Sequence, residues 1–309
     1  SPDSYGSGFV CVYSNHQYVV LCLEEEDKSM ISTKKEAVFI KVFVYAGTIL
    51  TLAILVSVVG YILFKGIPNL SLKLFEREYT TENVSLFPAL VNTLLMTFLS
   101  LLIAAPLGIF AAVYLVEYAR NDNRFVKLVR ITTETLSGIP SIIYGLFGLL
   151  FFVTALGLRM SLLSGALTLS MMILPLIMRT TEEALFAVPV EYREGSYGLG
   201  AGRLRTLFKV VMPPAIPGIL AGIILSVGRI VGETAALIYT AGTVAEIPKS
   251  LLDSARTLSV HMYALSSEGL YINQAYATAV VLLVIVAGIN ALSAYAAKRI
   301  ERKTNNGKD

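Results

Sequence analysis

The sequence predicts an all-α, polytopic membrane protein with six transmembrane helices, and three observations carry that prediction. Of 309 residues, 55% are hydrophobic and only 15% charged, with a mean hydropathy of +0.68, far more apolar than an average soluble domain. Apolar runs recur at the length needed to cross about 30 Å of hydrocarbon, roughly 20 residues of helix. Lys and Arg fall unevenly between those runs, which gives the chain a direction of insertion.

In chain order, the runs Val42 to Phe64 and Leu86 to Val116 contain no charge. Leu136 to Leu158 and Met160 to Met178 follow, parted only by Arg159, and Ala275 to Ala297 is the last. Between them Ile216 to Ala241 carries Arg229 and Glu233 in its interior. Placing the N-terminus in the cytoplasm puts 18 of the 25 Lys and Arg residues on that side, among them Lys34, Arg124, Arg179, Arg205 and Arg302. Both termini are therefore expected inside. The net charge of +3 follows from this bias, and without aromatic residues interleaved on a basic face it does not support nucleic-acid binding.

Cys11 and Cys22 are the only cysteines and His16 and His261 the only histidines, so no His/Cys/carboxylate cluster of metal-binding spacing exists and no cofactor is expected. Both cysteines precede the first run on the reducing side, where a structural disulfide is disfavoured. Residues 1–29 differ in texture, with no helical period and an acidic Glu24-Glu25-Glu26-Asp27 run, while Met30 reads as a natural start. They are expected to be a disordered or artefactual extension, a genuine soluble extension being the alternative. Residues 30–303 form the expected transmembrane domain, with a cytoplasmic loop over 179–215, and 304–309 a cytoplasmic tail.

Pro140, flanked by Gly138 and Gly145, removes a backbone donor near the start of the third run. Such a break in lipid needs protein or a water-filled path around it; the alternative is an ordinary proline at a helix N-terminus. Gly218-xxx-Gly222 and Gly228-xxx-Gly232 in the fifth run predict a seam where helix backbones approach closely.

Between the fourth and fifth runs, Arg179 to Met212 is too polar to be embedded, and its apolar spacing suggests short helical pieces punctuated by Pro189 and Gly200. Glycine can take the left-handed conformation that ends one helix and redirects the chain into the next. A helix, turn, helix element of this kind can plug a groove in a soluble partner. Glu194-Gly195-Ser196, then Gly200 six residues after the Glu, then Val210-Val211-Met212-Pro213, resembles the EAA motif of ABC importer permeases. The two alanines of that motif are here Gly195 and Ser196, both small, which would preserve a close contact.

Leu136-Ser-Gly-Ile-Pro140 through Gly148, and Gly228-Arg229-Ile-Val-Gly232-Glu233-Thr234, resemble segments that mark permeases of phosphate-specific importers. The order of all segments from about Met30 to Lys303 is similar to the A-type permeases of that group. The resemblance implies a type I importer permease fold in the inner membrane and a complex with a related C-type permease, two ATP-binding subunits and an external phosphate-binding protein. Glu194, Gly195, Ser196, Gly200 and Pro213 would dock the ATPase. The chain has no G-x-x-x-x-G-K-[ST] sequence, so it would not bind ATP through such a loop or act as an enzyme.

An ionisable residue at mid-span costs about 2.5–3.5 kcal/mol on insertion scales and is by default a functional hypothesis. Arg229 and Glu233 at i, i+4 would share one helix face. Either Arg229 meets the phosphate anion or a gating carboxylate, since its fork matches phosphate oxygens, or the two only neutralise each other to permit insertion. With Pro140 they mark the expected path or gate. An importer for another oxyanion and an ion-coupled secondary carrier are the competing readings. The second would need inverted repeats and further intramembrane carboxylates, which the sequence lacks.

Overall fold

The computed structural model describes residues 17–119 and 123–306, with side chains described for 38–119, 123–292, 294 and 295. Cys11, His16 and Arg120 and the end of the tail, 307–309, lie outside the described residues, as do the side chains of Cys22 and Arg302. The chain forms two compact units, Ser1–Tyr61 and Ile62–Asp309.

Among the described residues the first unit is the part of helix α1 (Gln17–Gly66) up to Tyr61, and this helix starts inside the segment expected to have no helical period. No Gly or Pro lies between Gln17 and Gly47, so nothing stops the helix from running back past the apolar run into polar sequence. Residues 1–16 of the expected extension are outside the described residues.

The second unit is a helical bundle built around α5 (Leu162–Phe186), which packs against α2 (Phe87–Val113) and α8 (Met212–Val231). Pro88 and Pro213 sit in the first turns of α2 and α8, where the missing N–H has no intrahelical partner to lose. Ser161 caps α5 by accepting from the Ser164 N–H at 3.2 Å. The helix then continues past its expected end at Met178, because polar Arg179, Thr180, Glu182 and Glu183 are compatible with helix and Arg179 and Glu183 pair at 3.1 Å with i, i+4 spacing.

Small residues set how closely the helices approach. A Cβ on Gly218 would come within 2.6 Å of the Ala184 Cβ, and one on Gly222 would land on Thr180, so this pair is the seam between α8 and α5. The second motif does not behave the same way. Gly228 meets only Asn290 Oδ1 at 3.8 Å, and Gly232 closes α8 as its C-cap and is exposed.

The third and fifth expected spans are not continuous helices. Helix α3 (Arg124–Ser137) and helix α4 (Ser141–Gly148), the latter prolonged by a π-helical segment to Ala155, meet at 105°. Pro140 directly precedes α4 at this bend, so the ordinary N-terminal position and the break in the span are the same feature. A residue before proline is pushed out of the helical region, which halts α3 at Gly138. Five helices among the described residues are long and apolar enough to cross a membrane, and six if the bent pair is one span. The fifth expected span, Ile216 to Ala241, stops at Val231 and resumes as a short α9 (Ala235–Thr240).

The chain ends with α10 (Leu258–Glu268) and α11 (Ile272–Asn306). The end of the bundle opposite the Pro189–Gly202 loop is tied by buried polar groups. Asn92 Nδ2 donates to the carbonyls of Glu246 and Arg256 at 2.9 and 3.1 Å, and Leu258 N–H donates to Thr93 Oγ1 at 2.8 Å.

His261 on α10 is fully buried there, edge-on to Tyr79 and with Nδ1 3.4 Å from Arg256 Nη1. Burial, then the Arg256 charge, lower its pKa from 6.5 to about 4. Between those values the unfolded chain binds the proton and the folded chain does not, so stability falls as pH drops from about 6.5 and levels off below about 4. A shift of this size corresponds to roughly 3 kcal/mol. The detergent-purified chain should therefore lose thermal stability over that window, and His261→Gln should flatten the dependence; an equally steep loss in the variant would assign it to other groups.

Candidate functional site

Two regions hold the residues singled out by the sequence. The first is the loop after α5. Pro189 precedes α6 (Val190–Gly198), and α7 (Arg203–Thr206) follows, running through a π-helical turn, Leu207–Val211, into α8. Gly200 links them with φ +80°, the left-handed region. There its N–H donates to the Tyr197 carbonyl at 2.9 Å and Ala201 N–H to that of Ser196 at 3.1 Å, which satisfies carbonyls left open at the end of α6.

Glu194 and Gly195 are exposed on α6, and Pro213 lies in the first turn of α8. Ser196 Oγ faces inward and bonds Thr206 Oγ1 at 2.8 Å, stapling α6 to α7. A Cβ on Gly195 would meet nothing within 4 Å in this chain. Its small size serves no contact within this chain. Leu199 is 91% exposed and Leu204 65%, and a groove of about 530 Å³ runs between Glu191, Gly195, Gly200 and Arg205.

The base of the element is anchored. Leu185, Val188, Leu207 and Val211 pack with Val113 of α2 and with Ala215 and Ile219 of α8. Arg193 turns inward from α6, and its Nε and Nη2 donate to Glu117 Oε1 at 3.0 and 2.8 Å. Sequence reasoning missed this pair, because its members are 76 residues apart and no local spacing links them.

The second region surrounds the breaks in the membrane helices. Arg229 is half-buried on the last turn of α8, whereas Glu233 lies beyond the end of that helix. The shared face expected of them does not form. Instead Glu233 Oε1 accepts from the Ala236 N–H at 3.0 Å and caps α9, and its own carbonyl accepts from Ser259 Oγ. A carboxylate at a helix N-terminus is satisfied by an orphan N–H, and this competes successfully with the guanidinium.

Among the described residues Arg229 makes no hydrogen bond or ion pair. Tyr144 of α4 is buried, and its hydroxyl donates to the Leu136 carbonyl at 2.8 Å. Tyr144 therefore ties α4 back to the end of α3 across the bend at Pro140. Pro140 itself is exposed. No group of three or more His, Cys, Asp or Glu able to hold a metal is present among the described residues.

Residues 104–306 match the family described as binding-protein-dependent transport system inner membrane component. A probable ABC transporter permease of Bacillus subtilis, YqgI, is 36% identical over 238 residues, 71% of this chain and 79% of that protein. A probable phosphate transport system permease, PstA, of Methanocaldococcus jannaschii is 34% identical over 270 residues, 84% of this chain and 93% of that one. Among solved structures, the MetNI methionine ABC transporter in inward-facing conformations superimposes with a TM-score of 0.53 at 22% identity, covering 71% of this chain and 94% of that one. At this identity the likeness is one of fold.

Proposed function

We propose that this chain, which belongs to the family of binding-protein-dependent transport system inner membrane components, is the A-type permease of an ATP-driven phosphate importer. It forms half of the translocation path beside a related C-type permease, takes phosphate from an external binding protein, and docks one of two ATPase subunits through Glu194, Gly195, Ser196 and Gly200, with Pro213 in the first turn of α8. The likeness to phosphate permeases over most of the chain supports phosphate as the cargo.

The observation that carries the reading is Arg229. A guanidinium held among apolar helices is destabilising unless something compensates it, and Glu233, the carboxylate four residues along, is occupied at α9. An anion passing the broken end of α8 would meet a fork of donors suited to phosphate oxygens. In this reading the bend at Pro140, which Tyr144 braces through Leu136, would gate the path.

The complete complex in proteoliposomes, given external binding protein and internal ATP, should take up labelled phosphate, with sulfate and molybdate failing to compete. Uptake of sulfate or molybdate in place of phosphate would make this an importer of another oxyanion, and uptake without any ATPase would make it a secondary carrier. The proposed orientation has both termini and the loop over 179–215 in the cytoplasm. With Cys11 and Cys22 first replaced by Ser, single cysteines at Tyr197 and Asp253 should label with an impermeant thiol reagent from opposite sides of the membrane; labelling from one side would end the six-span topology.

A further inference from the structure

The loop that carries the docking surface must pass motion on to the membrane helices, and one buried ion pair is placed to do this. Arg193 on α6 is 17% exposed and Glu117 10%. All three nitrogens of the guanidinium are engaged. Nε and Nη2 reach Glu117 Oε1, Nη1 reaches the Val188 carbonyl at 2.9 Å, and Nη2 also reaches that of Leu185 at 2.9 Å. Leu185 belongs to the last turn of α5 and Val188 to the connection that follows it.

Glu117 lies in the π-helical turn Tyr114–Tyr118 that prolongs α2. The turn ends at Ala119, whose backbone is extended, so it forms the last turn of this span. Here it carries the acceptor for the guanidinium. Removing one member of such a pair strands the other in a poorly hydrated place.

On the reading of the loop as the ATPase dock, we infer that Glu117 and Arg193 form a mechanical linkage which makes α6 move with α2 and α5 as one body. Without it α6 keeps its backbone and its exposed Glu194 face, but α2 no longer follows the displacement of the docked partner. Both are positioning residues; neither touches phosphate. Apolar packing at Val188 and Leu207 resists separation but is non-directional, whereas a four-bond guanidinium clamp fixes orientation as well as distance.

The test uses the whole complex, with Cys11 and Cys22 replaced by Ser and Glu117→Cys combined with Arg193→Cys. The readout is phosphate imported per ATP hydrolysed. With the cysteines unlinked, the ATPase should still co-purify and hydrolyse ATP, while import per ATP falls about ten-fold. Joining the cysteines with a bifunctional thiol reagent about as long as the side chains it replaces should restore most of that ratio in the same sample.

An unchanged ratio in the unlinked complex would overturn the linkage, and so would failure of the linker to raise it. If the double-cysteine complex does not assemble, Glu117→Leu, which keeps much of the volume but offers no acceptor to Arg193, must lower the same ratio, and a normal ratio there also overturns the proposal. Failure of the ATPase to co-purify with the unaltered chain would instead remove the docking reading itself.

Discussion

Arg229→Gln is expected to reduce phosphate import by about 100-fold while the complex assembles at normal levels. The magnitude follows from the loss of a charge-assisted contact, about 1.5–3 kcal/mol, in a setting of low dielectric where no neutral amide replaces the positive field; each 1.4 kcal/mol is about ten-fold in rate. Normal assembly follows from the structure. Glu233 is capped by the Ala236 N–H, so removing Arg229 deprives no buried carboxylate of its partner. Glu233→Gln retains an oxygen that can accept the same bond and should leave import within about three-fold of normal, since exchanging a surviving cap costs little. The double substitution should then match Arg229→Gln alone. A double variant that transports normally while either single variant does not would restore the self-neutralising pair. Import close to normal in Arg229→Gln would remove the site.

Gly200→Val should abolish import by a different route, through the backbone. Its φ of +80° costs an L-residue about 1–2 kcal/mol and a β-branched one more, and a Cβ there meets nothing within 4 Å, so the conformational strain is the only penalty. The chain relieves that strain by reshaping the turn, which breaks the alignment of α6 with α7. Co-purification of the ATPase should fall by at least about ten-fold, corresponding to 1.4 kcal/mol or more of lost docking energy, while the chain still reaches the membrane and pairs with its sister permease. Gly200→Asn is the discriminating control, because asparagine tolerates the left-handed region; it should retain most of the uptake. Equal loss in Asn and Val would point to a contact with the missing glycine hydrogen and not to φ, and normal uptake in Val would end the assignment of this loop.

Much of the molecule was legible without coordinates where the physical cause is local. A run of apolar residues long enough to cross hydrocarbon is a helix in that medium, since every backbone group must be satisfied within the segment. Hence α1 and α11 contain their expected runs and α2 and α5 cover most of theirs, although α1 and α5 extend into polar sequence because nothing there opposes helix. The turn at Gly200 was legible for a similar reason. A glycine between two short helical patterns has few other uses, and its left-handed φ is the conformation that glycine makes accessible.

What the sequence by itself determined is therefore the all-helical membrane class, the polar loop and its turn, and the residues that carry the family likeness. The tertiary structure alone decided which charges are paired. Periodicity places Arg229 and Glu233 on one face only if the helix continues, and whether it continues past Gly232 depends on α9 offering Glu233 an orphan N–H. The contrast between Gly222, which admits Thr180, and Gly232, which admits no neighbouring helix, is likewise set by what stands opposite. So is the clamp of Arg193 on Glu117, whose members the chain separates widely and the bundle brings to 2.8 Å. Helix formation depends on bonds between near neighbours in sequence, whereas the compensation of a buried charge depends on whichever group the fold brings within reach.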